Sequence, residues 1–344
     1  MAELLDRFVC VRMVAANGMD LSIFQFEYNL TWAAMFLNAD GTIYGRYGTL
    51  SRQDRDHAIL SLAGFGKALE AVLELHGAYP GNKAALAGKK GPAPRFPTPE
   101  GYSDLKPYVK PIDTSSEGKA ETTCLHCHYV EKSEYKSIRS ARKPIPDEAL
   151  WAFPMPETVG LTLDEDRRAT VKSVAPGSAA AKAGIKAGDE IVSLDGQPLV
   201  SIADVQWVLH RAKDGGTLKA ELRRGGAAQS LTLSLPKGWR RSVIGGVGHA
   251  AGTWVFRPIS DAEDLSPDER KKRNLPYPAI AILIKWPDFG LLRDDVIVEI
   301  EGRKSGLSVD DFLAYVAQKK MPGDPIPAVV LRGGKRVEVQ LKAR

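Results

Sequence analysis

Apolar positions recur along the chain with two periods, and each period predicts a different kind of element. Short segments in which apolar residues alternate or run together, bounded by glycine, proline or Asp-Gly, predict strands. These segments are residues 8–14, 33–38, 42–48, 159–163, 169–174, 191–194, 218–223, 230–235, 280–284, 296–300, 328–332 and 337–341. Longer stretches with apolar residues three or four positions apart predict helices. The helical stretches are residues 60–76, 121–142, 201–212 and 310–318.

The second half of the chain contains the same order of elements twice. In the first copy, the strand at 169–174 is followed by a small-residue turn at 178–183 and by a strand that ends at Asp195-Gly196. A helix and two strands with a Gly-Gly turn complete each copy. In the second copy, Trp286-Pro287-Asp288-Phe289 replaces the small-residue turn. The repeat predicts two similarly folded domains, with a changed or absent binding site in the second.

The first copy resembles a PDZ domain of the bacterial type found in high-temperature-requirement proteases. The resemblance covers residues 158–236 and rests on the run from Pro176-Gly177-Ser178 through Gly184 and Gly188 to Asp195-Gly196. It implies a β-sandwich that binds an extended peptide as an added strand at an exposed edge. Backbone N–H groups just before that edge are expected to hold the terminal carboxylate of the peptide.

The edge strand and the groove helix supply the residues for this site. Those expected to bind the peptide are Val159, Gly160, Leu161, Thr162, Leu163, Leu209 and His210. For Leu161 and Leu209, plain core packing is the alternative. For His210, the alternative is a partly solvated surface position. The Gly245-Gly246-Val247-Gly248 cluster lacks the Lys-Ser or Lys-Thr of a phosphate loop, so we expect no nucleotide site there.

Residues 1–79 resemble the second half of a thioredoxin-like domain, with the N-terminal part of that fold missing. The resemblance rests on a strand at 8–14, a hairpin with Asn38-Ala39-Asp40-Gly41 at its turn, and the following helix. Leu30-Thr31-Trp32 stands where the family has its cis-proline, so thiol–disulfide activity does not carry over to this segment. Cys10, within the first strand, is expected to be a small buried hydrophobe. A proline-rich linker without a core pattern is expected at 80–118.

The motif Cys124-Leu125-His126-Cys127-His128 has the C-x-x-C-H spacing of covalent haem c attachment. Two thiols one helical turn apart can add to the two vinyl groups of a porphyrin. The adjacent His128 then reaches the iron as the proximal ligand. A metal site, a redox dithiol and a small structural disulfide remain alternatives. Zinc is disfavoured, because no second pair of cysteine or histidine ligands follows elsewhere in the sequence.

A sixth iron ligand is the remaining question for the haem hypothesis. Pro154-Met155-Pro156 holds Met155 in an extended segment, as often seen for the distal methionine of c-type cytochromes. The alternative is that Met155 packs on a neighbouring surface. His76 and His126 are the other candidates, and His126 is disfavoured by its position inside the motif.

Composition and charge narrow the function classes. The 344 residues, with 44% hydrophobic and 26% charged residues, are ordinary for a globular chain of two or three domains. The net charge of +5 comes from scattered basic residues, which gives no reason to expect nucleic-acid binding. No stretch has the length of a transmembrane helix, and residues 1–16 lack a signal-peptide pattern. Because haem attachment takes place outside the cytoplasm, we expect a periplasmic protein whose signal segment is absent or truncated here.

Together these observations predict a multidomain α+β protein. Its parts are a partial thioredoxin-like α/β segment at 1–79, a linker at 80–118, a small helical C-x-x-C-H unit at 119–156, a PDZ domain at 157–237, and an insert plus a diverged PDZ-like β-sandwich or barrel at 238–344. The arrangement resembles a thioredoxin-like/PDZ family of planctomycete type.

The predicted function is an extracytoplasmic redox adaptor that carries haem c and recruits protein C-termini through its first PDZ domain, with an unknown redox partner. The alternative is a haem-free peptide-binding scaffold or chaperone-like adaptor with a disulfide or metal at C-x-x-C-H. A protease is disfavoured, because no Gly-x-Ser-x-Gly or similar nucleophile motif is present.

Overall fold

The computed structural model describes residues 1–30, 32–50, 58–106, 125–242, 262–288 and 290–343. The chain forms two compact units, each built from two stretches of sequence. Residues 1–129 and 151–243 form the first unit, and residues 130–150 and 244–344 form the second. The segment predicted as a C-x-x-C-H unit is therefore divided between them. No helix in these described ranges is long and apolar enough to cross a membrane.

Short helices and strands alternate along the described residues. The α-helices are α1 Ala2–Leu5, α2 Leu62–Gly77, α3 Lys83–Leu86, α4 His128–Ser140, α5 Asp147–Leu150, α6 Ala179–Lys182, α7 Ile202–Arg211, α8 Pro267–Lys272 and α9 Val309–Lys319. The strands are β1 Ala34–Leu37, β2 Ile43–Tyr47, β3 Thr49–Leu50, β4 Ala58–Ile59, β5 Leu161–Leu163, β6 Val171–Val174, β7 Glu190–Leu194, β8 Gln197–Pro198, β9 Thr217–Arg224, β10 Ala227–Ser234, β11 Glu263–Asp264, β12 Ile282–Leu283, β13 Val296–Ile300, β14 Pro325–Arg332 and β15 Lys335–Lys342.

The N-terminal segment contains the predicted hairpin and the predicted long helix. Strands β1 and β2 pair antiparallel, and the Asp40 carboxylate accepts a hydrogen bond from the Thr42 N–H inside the turn. Helix α2 begins after Ser61, whose hydroxyl accepts a hydrogen bond from the Gly64 N–H as an N-cap. The apolar face of α2 packs on β1 and β2 in a shared core. These local elements are confirmed, whereas a thioredoxin-like fold is not shown.

Two expectations for the N-terminal half are wrong. Residues 8–14 do not form a strand; the Val9 and Val11 side chains are 95% and 86% exposed, and Cys10 is exposed rather than buried. In the described ranges no strand pairs with this segment, and an extended chain without a partner leaves its backbone and side chains in water. The described part of the predicted linker, residues 80–106, packs against its neighbours and contributes Leu86, Lys89 and Tyr102 to the interior. Residues 107–118 lie outside the described ranges.

The first repeat copy folds as two small sheets around one apolar core. Strands β5 and β6 form a pair, and the order β10-β9-β7-β8 forms a four-stranded sheet. Helix α7 begins after Ser201, whose hydroxyl caps the Ala203 N–H, and buries Ile202, Val205, Val208 and Leu209 in the core. The predicted helix at 201–212 and the predicted closing strands are confirmed, with small shifts at their ends.

The second copy repeats not only the element order but a specific hydrogen-bonded ion pair. In the first copy, Arg224 donates through Nε and Nη2 to the Asp189 carboxylate, and through Nη2 to the Gly184 carbonyl. In the second copy, Arg332 donates in the same way to Asp295 and to the Gly290 carbonyl. Gly184 and Gly290 have φ values of +82° and +80°. One constellation therefore fixes the same turn in both copies.

A buried ionic cluster joins the N-terminal segment to α7 inside the first unit. The Asp204 carboxylate accepts a hydrogen bond from Lys89 Nζ at 2.7 Å and from the Val200 N–H at 3.0 Å. Arg46 lies beside it, with its guanidinium 3.8 Å from the centre of the Trp207 ring. Burial lowers the pKa of Lys89 and lowers the pKa of Arg46 to about 10, while Asp204 opposes both shifts. Asp204 thus supplies the compensating charge for both buried cations, and Arg46 also donates to the Gln25 and Lys89 carbonyls.

Close packing around this cluster depends on one glycine. A Cβ added to Gly45 in β2 would lie 2.3 Å from Val200 Cγ2 and 2.8 Å from Asp204 Oδ2. A side chain at this position would force β2 away from the start of α7. Gly45 therefore permits the contact through which Arg46 reaches Asp204.

We predict that Asp204→Asn destabilises the protein by about 3–5 kcal/mol, because Lys89 then stays buried without a compensating charge. Urea denaturation followed by tryptophan fluorescence measures the change. The exposed Glu70, paired with Lys67 on the surface of α2, provides the control Glu70→Gln, which should change the stability by less than about 1 kcal/mol. Equal effects of the two substitutions would contradict this account.

Candidate functional site

The site is the groove between β5 and α7 in the first repeat copy. The Ala175 N–H donates to the Gly160 carbonyl and the Asp164 N–H donates to the Thr170 carbonyl, so these bonds flank the pairs Leu161–Val174 and Leu163–Val171. In antiparallel sheets, residues of such flanked pairs direct their own N–H and C=O groups away from the partner strand. The backbones of Leu161 and Leu163 therefore face the free edge of β5. In the described ranges no strand pairs with that edge.

Strand β5 offers its backbone to a ligand and keeps its apolar side chains for the core. Leu161 and Leu163 are buried with Val159, whereas Thr162 is exposed between them. The alternative interpretation of Leu161 as a core residue thus holds for its side chain. It does not conflict with a role for its backbone, since added-strand recognition uses main-chain groups.

The loop before β5 is shaped by a short 3₁₀ turn, Pro156–Val159, and by Gly160. The Gly160 N–H donates to the Glu157 carbonyl at 2.9 Å, so this predicted carboxylate donor is already engaged inside the turn. Gly160 has φ +86°, and an added Cβ would lie 2.1 Å from Ser178 Cβ. Only glycine fits here, and it brings the loop against the start of α6. The Leu161 N–H is the predicted donor that the strand register directs to the open edge.

Helix α7 forms the other wall, and both of its long faces are covered. One face lies in the core and includes Leu209, whose side chain is therefore packed as the alternative interpretation expected. On the opposite face, the His210 ring stacks on Phe153 at 4.4 Å between centroids, and its Nδ1 accepts from the Phe153 N–H at 3.3 Å. Trp207 on the same face donates to the Gly88 carbonyl at 2.8 Å. The His210 ring is thus held against Phe153 and Trp207, and its contact with a peptide stays a prediction.

Glu157, in the turn before the groove, is a functional candidate that the sequence analysis missed. Its Oε2 atom is buried and accepts no hydrogen bond within the described residues. Burial raises the pKa of this carboxyl group above its ordinary value. The neutral form of the Glu157 carboxyl group is therefore favoured more than that of an ordinary glutamate.

The C-x-x-C-H segment is described only from its second residue. Cys124 lies outside the described ranges. The Cys127 thiol donates to the Tyr28 carbonyl at 3.4 Å, and burial raises its pKa. His128 is the first residue of α4, and its ring stacks on His126 at 5.5 Å between centroids. Within the described part of the chain no group of three histidine, cysteine, aspartate or glutamate residues could hold a metal ion.

Two of the candidate distal ligands, Met155 and His76, have other polar partners. Met155 is 6% exposed, and its sulfur accepts from Gln206 Nε2 at 3.0 Å and from Thr49 Oγ1 at 3.5 Å. His76 shares a hydrogen bond of 2.8 Å between its Nδ1 and the Tyr44 hydroxyl. A role for Met155 as an iron ligand would require it to give up two buried donors. In this structure Met155 packs against its neighbours, which was the alternative interpretation. Its role as an iron ligand stays a prediction.

The buried polar residues that surround α7 do not form a motif in the sequence. Arg46, Lys89, Asp204 and Gln206 are buried polar residues that meet around α7 although they come from distant parts of the sequence. A charged residue within an apolar run, as Arg46 in Ile43–Tyr47, is the one local hint. Such a residue indicates a buried partner but does not identify it.

Comparison with known proteins gives the class of this domain. Residues 158–235 match the family model described as "PDZ domain". The chain is similar to parts of bacterial proteases. Among them is the probable periplasmic serine endoprotease DegP-like of Pseudomonas putida (strain GB-1), 40% identical over 189 residues, 52% of this chain and 38% of that protein. The periplasmic pH-dependent serine endoprotease DegQ of Escherichia coli (strain K12) is 31% identical over 140 residues, 40% of this chain and 29% of that protein.

The first repeat copy is therefore a PDZ domain with similarity to DegP-type proteases, as the sequence predicted. The chain spans well under half the length of these two relatives. Among solved structures, a serine endoprotease from Yersinia pestis shares 27% identity over 23% of this chain and 28% of that chain, with a TM-score of 0.21. An "HtrA-type protease AlgWS227A with decapeptide" shares 18% over 33% of this chain and 35% of that chain, with a TM-score of 0.22.

We predict that Glu157→Gln raises the thermal unfolding midpoint at pH 7.5, because the neutral amide avoids a buried charge. The raised pKa makes the contribution of wild-type Glu157 fully present below its unfolded pKa and lost as the pH rises through the folded pKa. The advantage of the variant should therefore shrink toward pH 4. Calorimetry across this range checks it, with the exposed Glu3→Gln as the control. A difference independent of pH would show that the carboxyl is not buried.

Proposed function

We propose that the protein is an adaptor that captures the free, apolar C-termini of other proteins in the groove of its first PDZ domain. The observation that carries this proposal is the unpaired edge of β5, with the backbones of Leu161 and Leu163 directed outward. Such an edge accepts an extended peptide as one more strand. The glycine loop at Gly160 leads directly into that edge.

Binding is favoured over proteolysis as the activity of this chain. The relatives are named as proteases, but the family match to this chain is the PDZ domain at 158–235. A PDZ domain supplies no nucleophile of its own, and the sequence has no Gly-x-Ser-x-Gly motif. The periplasmic location in the names of the relatives supports an extracytoplasmic location for this adaptor.

The second copy has a different groove, and we propose that it supports structure and does not capture C-termini. Strand β11 takes the place of β5 but consists of Glu263 and Asp264. The Asp264 carboxylate accepts a hydrogen bond from the Val309 N–H at 3.2 Å, which ties this edge to the start of α9. An acidic edge also repels a terminal carboxylate.

For the first PDZ domain, we predict that the full chain binds peptides ending in a free apolar residue and loses about tenfold or more in affinity for the amidated forms. Fluorescence anisotropy with labelled peptides measures this. Gly160→Ala should weaken binding, because its Cβ meets Ser178. Gly177→Ala is the matched control, since Gly177 also has a positive φ (+72°) but its added Cβ meets nothing within 4 Å. Equal binding of free and amidated peptides would exclude carboxylate capture.

Covalent haem at Cys124 and Cys127 is the second candidate function, which would add electron transfer with a redox partner to the adaptor. The observation that favours it is local: Cys127 directly precedes His128, the first residue of α4, so thiol and imidazole start from adjacent positions of an ordered segment. Cys124 and Cys127 would form the thioethers, and His128 would be the proximal ligand. When bound, the haem would supply a one-electron carrier.

For the haem, we predict that the chain, exported in a host that matures cytochromes c, gains the mass of one haem and shows a pyridine-haemochrome spectrum. The double variant Cys124→Ala/Cys127→Ala should show neither. Intact-protein mass spectrometry distinguishes the alternatives, since loss of two protons without haem would identify a disulfide. A mass equal to that of the unmodified, reduced polypeptide would refute the haem proposal and leave the peptide proposal intact.

A further inference from the structure

Residues 9–13 form an exposed segment of the first unit that is held in place at both ends. On its N-terminal side, Phe8 packs on the core shared by α2 and the β1–β2 hairpin. On its C-terminal side, Ala16 is buried, and its N–H donates to the Leu125 carbonyl at 2.7 Å. Between these two anchors, all five residues of the segment are exposed. The segment is therefore ordered by its neighbours, although its own side chains lie in water.

The backbone of segment 9–13 is compatible with a strand but has no strand partner. The segment contains no turn, bend or helix, and none of its residues has a positive φ. Val9 and Val11 are β-branched, a type of residue enriched in strands. Within the described ranges, the N–H and C=O groups of the segment make no hydrogen bonds to other backbone groups. Such a row of unpaired groups is a template for the addition of another strand.

The side chains of the segment are arranged symmetrically about Val11. Apolar Val9 and Met13 lie two positions before and two positions after it. If two copies pair antiparallel about Val11, Val9 of each copy lies opposite Met13 of the other, and Cys10 lies opposite Arg12. If they pair parallel and in register, the two Arg12 side chains lie opposite each other, and like charges in that position are destabilising. The pattern therefore favours an antiparallel pair.

From this arrangement we infer that segment 9–13 is a self-association surface whose partner is a second copy of this chain. Two copies pair antiparallel, with a two-fold axis at Val11. A two-fold axis requires a surface that is complementary to itself, which the pattern about Val11 provides. A different protein would have to bring an unpaired strand of its own, whereas every copy of this chain already carries one. This inference does not depend on the proposed peptide capture.

The dimer is expected to be weak. A standard stable interface uses roughly 20–30 residues on each side, many more than segment 9–13 supplies. Sedimentation velocity of the full chain over a concentration series measures the association. The wild type should be monomeric at about 1 μM and should form dimers in the range of roughly 0.1–1 mM.

A charge at the two-fold axis should separate the copies. Val11→Lys places two ammonium groups opposite each other and should raise the dissociation constant by about tenfold or more. The control is Leu62→Lys, which adds the same charge at an exposed apolar position outside the segment. Val11 and Leu62 are 86% and 78% exposed, so neither substitution removes a side chain from the core.

Cysteine cross-linking tests the register. The background is the cysteine-free variant Cys10→Ser/Cys124→Ala/Cys127→Ala. Adding Val11→Cys places two thiols directly opposite each other, at a Cα separation of about 4.5–5.5 Å, which a disulfide spans. Oxidised glutathione takes up the two electrons and two protons that the thiols lose. Met13→Cys is the matched control, because the two residues 13 lie four positions apart, about 14 Å. Electrophoresis without reductant measures the cross-linked dimer.

The results decide between self-association and its alternatives. A dimer that Val11→Lys dissociates and Leu62→Lys retains supports the inference, as does cross-linking at position 11 without cross-linking at position 13. A wild type that stays monomeric at about 1 mM overturns it. A dimer that Val11→Lys retains uses another surface and overturns it as well. Cross-linking at both positions, or at neither, contradicts the antiparallel register. Peptide binding is measured separately, so either proposal can fail without the other.

Discussion

The carboxylate of Asp204 is the interaction on which the first unit depends. It compensates Lys89, which is completely buried, and lies beside Arg46. Arg46 lies in the β1–β2 hairpin, Lys89 in the segment 80–106 and Asp204 in α7. One carboxylate therefore joins three distant parts of the sequence. A buried pair of this kind adds little net stability compared with apolar packing, but it strongly penalises any arrangement that separates the partners. It therefore specifies how α7 is covered.

Covering α7 changes what the PDZ domain offers to a ligand. A helix with a solvated face would leave its side chains free to contact a peptide. Here Trp207 and His210 are occupied by Gly88 and Phe153. In the proposed peptide capture, recognition is therefore left mainly to the backbone of β5 and to the loop at Gly160. Main-chain recognition of this kind tolerates many peptide sequences.

The two repeat copies share the ion pair that holds one turn but differ in the residues of the edge strand. The turn held by Asp189 and Arg224 recurs as Asp295 and Arg332, because each pair satisfies a buried carboxylate and a turn carbonyl that every copy must satisfy. The groove edge is not under that constraint. Leu161-Thr162-Leu163 in one copy corresponds to Glu263 and Asp264 in the other. Fold and ligand site have thus diverged separately.

The sequence by itself determined the elements whose cause is local. The periodicity of α2, α7 and α9 and the PDZ pattern of the first copy are found as expected, and the structure adds the caps Ser61, Ser201 and Ser308 at the starts of these helices. The strand expected at 8–14 failed because a strand needs a partner, and a partner is a tertiary property. The burial of Lys89 likewise depends on a partner far away in the chain, Asp204. Only the tertiary structure decided that α7 is covered, that the Glu157 Oε2 atom is buried and that α2 lies against the loop between β5 and β6. Each of these arises from residues far apart in the chain, whose contacts no local pattern encodes.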